Sequence, residues 1–215
     1  MEKLDVLQLI AICAAVGWAS GIRLYAVLFI LGALGYLGWF ELPAHLTVLS
    51  HPAVLAASGF MVCVEFFADK IPGVDTLWDV VHTLVRIPAG AALAASVFGD
   101  SPPAVTFAAA IIGGTLAADS HFTKAGVRMA INTSPEPFSN WTASLGEDLL
   151  VGILIYLALA HPLVWLVVLG ALVALTAWLL PRLWRFLRDF AARFARWFGG
   201  VAVGGGGQPP GPGDV

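Results

Sequence analysis

The sequence predicts an all-α integral membrane protein, a multi-pass helical bundle of about six transmembrane helices with broken or re-entrant segments. Three observations predict it. Of the 215 residues, 59% are hydrophobic and 12% are charged, about half the charged fraction of an average soluble domain. The mean hydropathy is +0.87, and apolar stretches of about 18 residues or more, long enough to cross a bilayer, recur along the chain. Lys and Arg are absent from every other connection between these stretches, as in membrane proteins of fixed orientation.

The first half of the chain holds three apolar segments. The first runs from about Val6 to Trp39, which is too long for one straight crossing. Small and polar residues from Gly17 to Arg23 interrupt it, so we expect one tilted or broken helix, or two shorter helices. The second segment runs from about Pro52 to Ala68, and the third from about Thr76 to Phe98.

The second half also holds three apolar segments. After the turn Gly99–Pro103, the fourth segment is apolar from Ala104 to Ala118 and polar from there to about Met129. A polar loop, Asn132–Asn140, leads into the fifth segment, about Trp141 to Ala160. The sixth follows from about Pro162 to Leu180. Proline at a helix start is well tolerated, which supports the boundaries at 103 and 162.

The C-terminal region changes character after Pro181. Residues 182–198 combine five Arg with Trp and Phe, which predicts an amphipathic helix at the interface, with Arg on anionic lipid headgroups. A dedicated partner or nucleic-acid role is the alternative, but no other feature supports it, and we predict no nucleic-acid partner. Residues 1–198 therefore form the predicted membrane domain. The Gly/Pro-rich residues 199–215 are predicted to be disordered.

The placement of Lys and Arg predicts the orientation. With six crossings, the connections at residues 41–45, 99–103 and 161–162 lie on one side, and none contains Lys or Arg. The other side holds Lys70, Lys124, Arg128 and the Arg-rich tail. We therefore predict an inner-membrane protein with both termini in the cytoplasm, Lys3 included.

Charged residues follow one face of the third segment. Asp75, Asp79, His82 and Arg86 are spaced by four, three and four residues, which places them on one side of a helix. Charges at membrane depth are costly unless they face a polar cavity or a partner, so they mark functional sites. Three further sets each share one face: Glu65 and Asp69; His121, Lys124 and Arg128; and Asn140, Ser144 and Glu147.

These faces predict one inward-facing polar chamber, acidic at its mouth with Arg23 and Arg86 deeper. We predict that Arg86 pairs with Asp79, Glu65 or Glu147, because an unpaired guanidinium at that depth is too costly. A partner from another helix is favoured, because the seven residues from Asp79 rise about 10 Å. Alternatives stay open: both Arg could be struts that set helix register.

Other polar groups also have structural interpretations. His82 and His121 could be satisfied core histidines, and Asp75 could cap the third helix. Cys13 and Cys63 both lie in apolar segments, and we interpret them as buried small side chains rather than a disulfide or metal site. No metal site and no cofactor are predicted.

A short echo suggests internal symmetry. Ser20–Arg23 resembles Ala125–Arg128, since each Arg follows a glycine after a long apolar stretch. Three crossings per half would give an inverted repeat, over residues 5–99 and 104–187, which is the plan of many secondary transporters. A chance echo in a chain rich in Gly and Ala is the alternative.

The polar motifs resemble those of a family of bacterial multi-pass proteins labelled domain of unknown function 4126. The resemblance covers about Leu7 to Leu187. It depends on Glu65, Asp69, Lys70, Pro72, Gly73 and Asp75; Trp78, Asp79, His82 and Thr83; His121, Lys124, Ala125 and Arg128; Asn132, Ser134 and Asn140; and Ser144, Glu147 and Asp148. It implies a membrane protein with two polar signature regions and implies no activity.

Three classes of function fit these observations. The favoured one is a small transporter or channel for a charged solute or ion of either sign. The others are a structural or regulatory membrane component, and a membrane enzyme acting on a lipid phosphate with Mg²⁺ held by Asp75, Asp79, Glu147 and Asp148. A homo-oligomer is left open. The candidate chamber residues are Arg23, Glu65, Asp69, Lys70, Asp75, Asp79, His82, Arg86, His121, Lys124, Arg128, Asn140, Ser144, Glu147 and Asp148.

Overall fold

Six long helices and one short 3₁₀ helix make up the computed structural model, which describes residues 4–71, 73–133 and 137–199. The described residues contain no strand. Five helices are long and apolar enough to span a membrane, and the 3₁₀ helix with α2, which meet at 69°, would form a sixth span. The predicted multi-pass helical membrane bundle is therefore confirmed. The helices are α1 (Val6–Tyr36), the 3₁₀ helix (Ala44–Ser50), α2 (Pro52–Ala68), α3 (Val74–Val97), α4 (Pro103–Ile131), α5 (Pro137–Ala160) and α6 (Pro162–Gly199).

Helix α1 is broken at Arg23, the residue inside it whose backbone is not helical (φ −144°, ψ 74°). The half before the break (residues 6–22) runs beside α4 in the same direction. Gly17 packs on Gly113, and Ile22 O accepts a hydrogen bond from Lys124 Nζ at 3.2 Å. The first segment is thus two half-helices, which the sequence left undecided.

The second half of α1 (residues 24–36) turns back toward the end where α1 begins. Gly35 packs on Leu42, and Leu42 lines a cavity together with Leu4. His45 in the 3₁₀ helix contacts Asp100 at 3.0 Å, between α3 and α4. We call this end of the bundle the His45 end. Because α1 enters and returns there, it forms a hairpin whose tip is Arg23.

The opposite end, which we call the Asn132 end, holds the turn between α2 and α3 and the end of α4. Arg188 of α6 lines a groove there together with Asn132. The described chain therefore starts at the His45 end and leaves at the Asn132 end. The sequence predicted both termini on one side of the membrane. The hairpin instead returns the first segment to the end of the bundle where it starts, and the side of the membrane that each end faces stays a prediction. Lys3 lies outside the described residues.

The echo at Arg23 and Arg128 does not mark an inverted pair. Its two copies lie on the first half of α1 and on α4, which run in the same direction, with Gly21 packed on Ser120. An inverted repeat needs opposite directions. The repeat bounds 5–99 and 104–187 stay a prediction without this support.

Glycines allow α1, α3 and α4 to touch near the middle of the bundle. A Cβ on Gly113 would lie 2.1 Å from Ala94 Cβ, and a Cβ on Gly90 would lie 2.6 Å from Ala117 Cβ. Small residues at such crossings are the usual way for membrane helices to approach closely. This contact of Gly17, Gly90 and Gly113, which we call the glycine seal, lies between the His45 end and the charged residues nearer the Asn132 end.

Helix α6 continues through Pro181 to Gly199, so the predicted amphipathic region extends the sixth span instead of forming a separate helix. A proline removes only one hydrogen bond, which neighbouring turns of a long helix tolerate. Arg182 lies on the Trp178 ring, with its guanidinium carbon 3.7 Å from the ring centre. The predicted disordered tail lies outside the described residues from residue 200 onward.

Candidate functional site

Four cations and five carboxylates meet around the tip of the α1 hairpin. Each cation is at most 3% exposed, and every one has a carboxylate within 3.0 Å. We call this set the charge network. Its members are Arg23, Arg86, Lys124, Arg128, Glu65, Asp69, Asp79, Glu147 and Asp148.

Asp69 is the hub of the network. It follows the last residue of α2, and its Oδ2 lies 2.7 Å from Arg23, 3.0 Å from Lys124 and 3.5 Å from Arg128. Burial raises the pKa of the Asp69 carboxyl, but the charges of Lys124, Arg23 and Arg128 together lower it more and hold it below its ordinary value. One carboxylate thus ties α1, α2 and α4 together.

Arg86 joins α3 to α2. Its Nη1 donates to Asp79 Oδ1 at 2.8 Å, and its Nη2 donates to Glu65 Oε1. The predicted pairing of Arg86 is therefore confirmed. The expectation of a partner from another helix holds for Glu65 only. Asp79 lies on α3 itself, because a helical side chain points back toward the helix N-terminus and a long one spans two turns.

Helix α5 supplies the two least buried carboxylates. Glu147 accepts from Arg128 Nε and Nη2 at 3.0 Å each, a bidentate pair, and lies 3.3 Å from Lys124. Asp148 lies 3.0 Å from Arg23 Nε. Their side chains are 15% and 35% exposed. The network therefore reaches the surface along α5.

Amides connect Asp75 to the network from the Asn132 end. Asn132 Nδ2 donates to both oxygens of Asp75 at 2.9 Å, and Asn140 Nδ2 donates to Asn132 Oδ1 at 2.8 Å. Arg128 Nη1 in turn donates to Asn140 O at 3.1 Å. Gly73, at φ 86°, is the cap of α3, so the predicted cap role of Asp75 is wrong. Asp75 instead accepts from the Gly73 N–H inside the turn.

Of the two histidines, His121 contacts the network directly and His82 contacts Tyr25 and Trp78 beside it. His121 lies 3.4 Å from Arg86 Nη1 through Nδ1 and 2.7 Å from Thr83 Oγ1 through Nε2. His82 lies 3.2 Å from Tyr25 OH, and its ring stacks on Trp78. Both are buried, and both have hydrogen-bond partners, as a satisfied core histidine does.

Two predicted residues remain to be placed. Ser144 accepts from Arg23 Nη2 through Oγ at 2.8 Å and through its carbonyl oxygen at 3.0 Å, so it belongs to the site. Lys70 does not join the network, because its Nζ donates to Phe66 O at 3.2 Å and lies over the Phe66 ring. Burial lowers the Lys70 pKa more than its acidic neighbours raise it.

Sequence reasoning did not assign a role to Asn132, Thr83 or Tyr25, although each contacts a predicted site residue. Asn132 follows α4 directly, and its place among the motif residues of the family resemblance was the available signal. The cysteines differ as well: Cys13 is buried, but Cys63 is exposed on α2.

In place of the predicted inward-facing polar chamber, the structure has a packed network of charged side chains. Its members contact one another directly, and Glu65, Asp69 and Asp79 are at most 1% exposed. Two carboxylate oxygens, Asp69 Oδ1 and Asp79 Oδ2, are buried without a hydrogen-bond partner, and so are Arg23 Nε and Arg86 Nε. Such groups are rare in native structures and ask for an explanation.

Cations interleave the carboxylates that the enzyme hypothesis assigned to Mg²⁺. Asp79 is held by Arg86, Glu147 by Arg128, and Asp75 by the Asn132 amide. Among the described residues, no group of three or more His, Cys, Asp and Glu could hold a metal ion. The arrangement of these carboxylates therefore favours ion pairing over coordination of Mg²⁺.

One comparison with known proteins gives a match. The model of the family described as "Domain of unknown function (DUF4126)" matches residues 10–182. No curated protein matches the chain, and no solved structure does. The matched region contains the α1 hairpin from residue 10 onward and every member of the charge network.

Proposed function

We propose that this chain, which belongs to the family described as "Domain of unknown function (DUF4126)", moves a small charged solute or ion across the membrane through the charge network. The observation that carries the proposal is the helix break at Arg23 inside this network. Broken helices at the ion and substrate sites of secondary transporters have the same plan: free carbonyls and charged side chains meet near mid-membrane.

The break gives the network polar backbone as well as side chains. Ile22 O accepts from Lys124 Nζ at 3.2 Å and Gly21 O lies 3.5 Å from Arg86 Nη1. Both carbonyls lie at the C-terminal end of a half-helix, where the helix dipole favours cations. Irregular backbone at membrane depth persists only where protein or a polar path surrounds it.

Stability alone is a weak reason for such a network. Replacing buried ion pairs by apolar residues of similar volume is often neutral or stabilising. Nine charged side chains at this depth are therefore better explained by a polar solute or ion. The exposure of Asp148 along α5, and the glycine seal on the opposite side, support access from the Asn132 end in this conformation.

We place the Asn132 end in the cytoplasm of a bacterial cell and the membrane in question as its inner membrane. Arg182, Arg185 and Arg188 lie on α6 toward this end and are exposed, which suits anionic headgroups. The start of α1 then faces the outside.

A structural role is the second candidate. The near-complete pairing of the network, with Asp69 tying three helices together, favours a strut that fixes helix register. A strut predicts loss of folding when a charge is removed, and no solute movement by the wild type.

The deciding experiment is reconstitution in liposomes. Flux of protons, alkali ions, Mg²⁺, phosphate and small organic ions would be measured for wild type, Asp69→Asn and the control Asp189→Asn, whose side chain is 59% exposed on α6. We expect wild type and the control to carry at least one of these species and Asp69→Asn to lose it. If the wild type carries none, the transport function is wrong, and the strut takes its place.

A further inference from the structure

We infer that the charge network takes up one positive charge, either an alkali-metal ion at Asp69 and Asp79 or a proton at Asp79. The inference rests on the transport function proposed above and adds the sign of the solute, which the sequence left open.

The first argument is the charge count. The described network holds five carboxylates and four cations, and the nearby Asp75 and Lys70 carry opposite charges, so including both leaves the sum unchanged. Ionised throughout, the network carries one excess negative charge. An uncompensated charge at membrane depth is costly. Uptake of one positive charge removes the excess, whereas uptake of an anion would double it.

The second argument is which atoms remain free. The oxygens Asp69 Oδ1 and Asp79 Oδ2 are buried and lack partners, so each offers lone pairs to a positive charge. The cations offer an anion much less. Arg23 already contacts three carboxylates, and its partnerless Nε lies 3.0 Å from Asp148.

The remaining cations are engaged in the same way. Arg86 contacts Glu65 and Asp79, which balance its charge. Its Nε, which has no hydrogen-bond partner, therefore offers an anion one donor only. Lys124 has carboxylate oxygens at 3.0 and 3.3 Å and a carbonyl oxygen at 3.2 Å. Arg128 uses Nε and Nη2 in its pair with Glu147.

The third argument comes from the other side of the membrane. A cavity of about 300 Å³ at the His45 end is lined by Glu41, Asp100 and His45, among other residues. The described residues at this end hold the carboxylates of Asp5, Glu41 and Asp100 and no Lys or Arg. A surface lined by one sign of charge concentrates ions of the opposite sign. Cations would therefore be concentrated at the His45 end, on the side of the glycine seal away from the charge network.

A proton and an alkali ion share this chemistry, and the experiment separates them. Wild-type liposomes with an inside-negative potential would be placed in choline medium, and internal pH would be followed. Proton entry acidifies the lumen without alkali ions, whereas Na⁺ or K⁺ entry needs those ions and is followed with isotopic tracer. Replacing chloride by gluconate is expected to change neither rate.

Variants locate the site. Asp79→Asn removes the excess charge, and we expect cation uptake at least about tenfold lower than in wild type. Asp79→Glu is expected to restore part of it, and Asp189→Asn to leave it unchanged. The sign of the solute is decided on the wild type, whether or not a variant folds.

Each outcome decides. Uptake of protons, Na⁺ or K⁺ supports the inference. Transport of chloride or phosphate without cation movement overturns it and leaves the transport function intact. Cation uptake that survives in folded Asp79→Asn also overturns it, because the site is then elsewhere. The absence of all flux refutes the transport function itself.

Discussion

Asp69→Asn is the most informative perturbation of the molecule. The substitution keeps the size of the side chain and removes one negative charge from between Arg23, Lys124 and Arg128, which lie 2.7, 3.0 and 3.5 Å from Asp69 Oδ2. All three cations stay buried, and the carboxylates that remain to balance them are Glu147 and Asp148, with Asp79 and Glu65 farther from Lys124 at 3.7 and 4.0 Å.

Removing one partner of a buried ion pair usually costs about 3–5 kcal/mol, because the other charge stays desolvated. We expect a loss of that size in the free energy of unfolding, measured by denaturant unfolding in detergent micelles. Asp189→Asn is the control, because Asp189 and its partner Arg188 are both exposed and the substitution leaves no buried charge unpaired. We expect its free energy of unfolding to stay within about 0.5 kcal/mol of wild type.

The pH dependence supplies a second check. The pKa of Asp69 is lower in the folded protein than its ordinary value, so the ionised carboxylate stabilises the fold above that ordinary value. The stabilisation is lost as the pH falls through the folded-state pKa. The difference between wild type and Asp69→Asn should therefore be constant near neutral pH and shrink below about pH 4. A loss under about 1 kcal/mol at neutral pH would refute the view of Asp69 as the hub.

Two further predictions concern the fold. A Cβ on Gly113 would lie 2.1 Å from Ala94 Cβ, so we expect Gly113→Ala to destabilise the bundle by about 1–3 kcal/mol in the same unfolding assay. The control is Gly146→Ala, because a Cβ on Gly146 meets open space. Equal effects of the two substitutions would contradict the glycine seal. Because α1 starts at the His45 end and α6 leaves at the other, cysteines at Asp5 and Arg193 should react with an impermeant thiol reagent from opposite sides of the membrane in a Cys13→Ala, Cys63→Ala background, and labelling from one side would contradict the hairpin.

Helical periodicity was enough to find most of the site. The spacings that put Asp75, Asp79, His82 and Arg86 on one face are properties of the helix alone, and lipid leaves such faces only one another to meet. The structure brings all four to one side of α3, with Asp79 and Arg86 in the network and Asp75 and His82 beside it.

The reversal of α1 could not be read from periodicity. It depends on one residue with non-helical backbone, Arg23, in a stretch that stays apolar on both sides. Its direction is decided by partners far along the chain, such as Lys124 and Ser144. For that reason the sequence did not predict the return of α1, although it located the individual apolar segments. The reach of Arg86 back to Asp79 was missed because helical rise was counted and side-chain length was not.

The hairpin of α1 also constrains the order in which the chain assembles. Arg23 is synthesised early, but Ser144, its hydrogen-bond partner, follows 121 residues later. Trp165, which donates to Ala11 O, comes 154 residues after that carbonyl. Until α5 and α6 are inserted, we expect the Arg23 guanidinium to stay at the insertion machinery or near the headgroups, because its transfer into lipid is costly. The first segment is therefore among the last to complete its contacts. Truncation before α5 would leave the N-terminal hairpin without Ser144 and Trp165, and the incomplete bundle would be a target for membrane quality control.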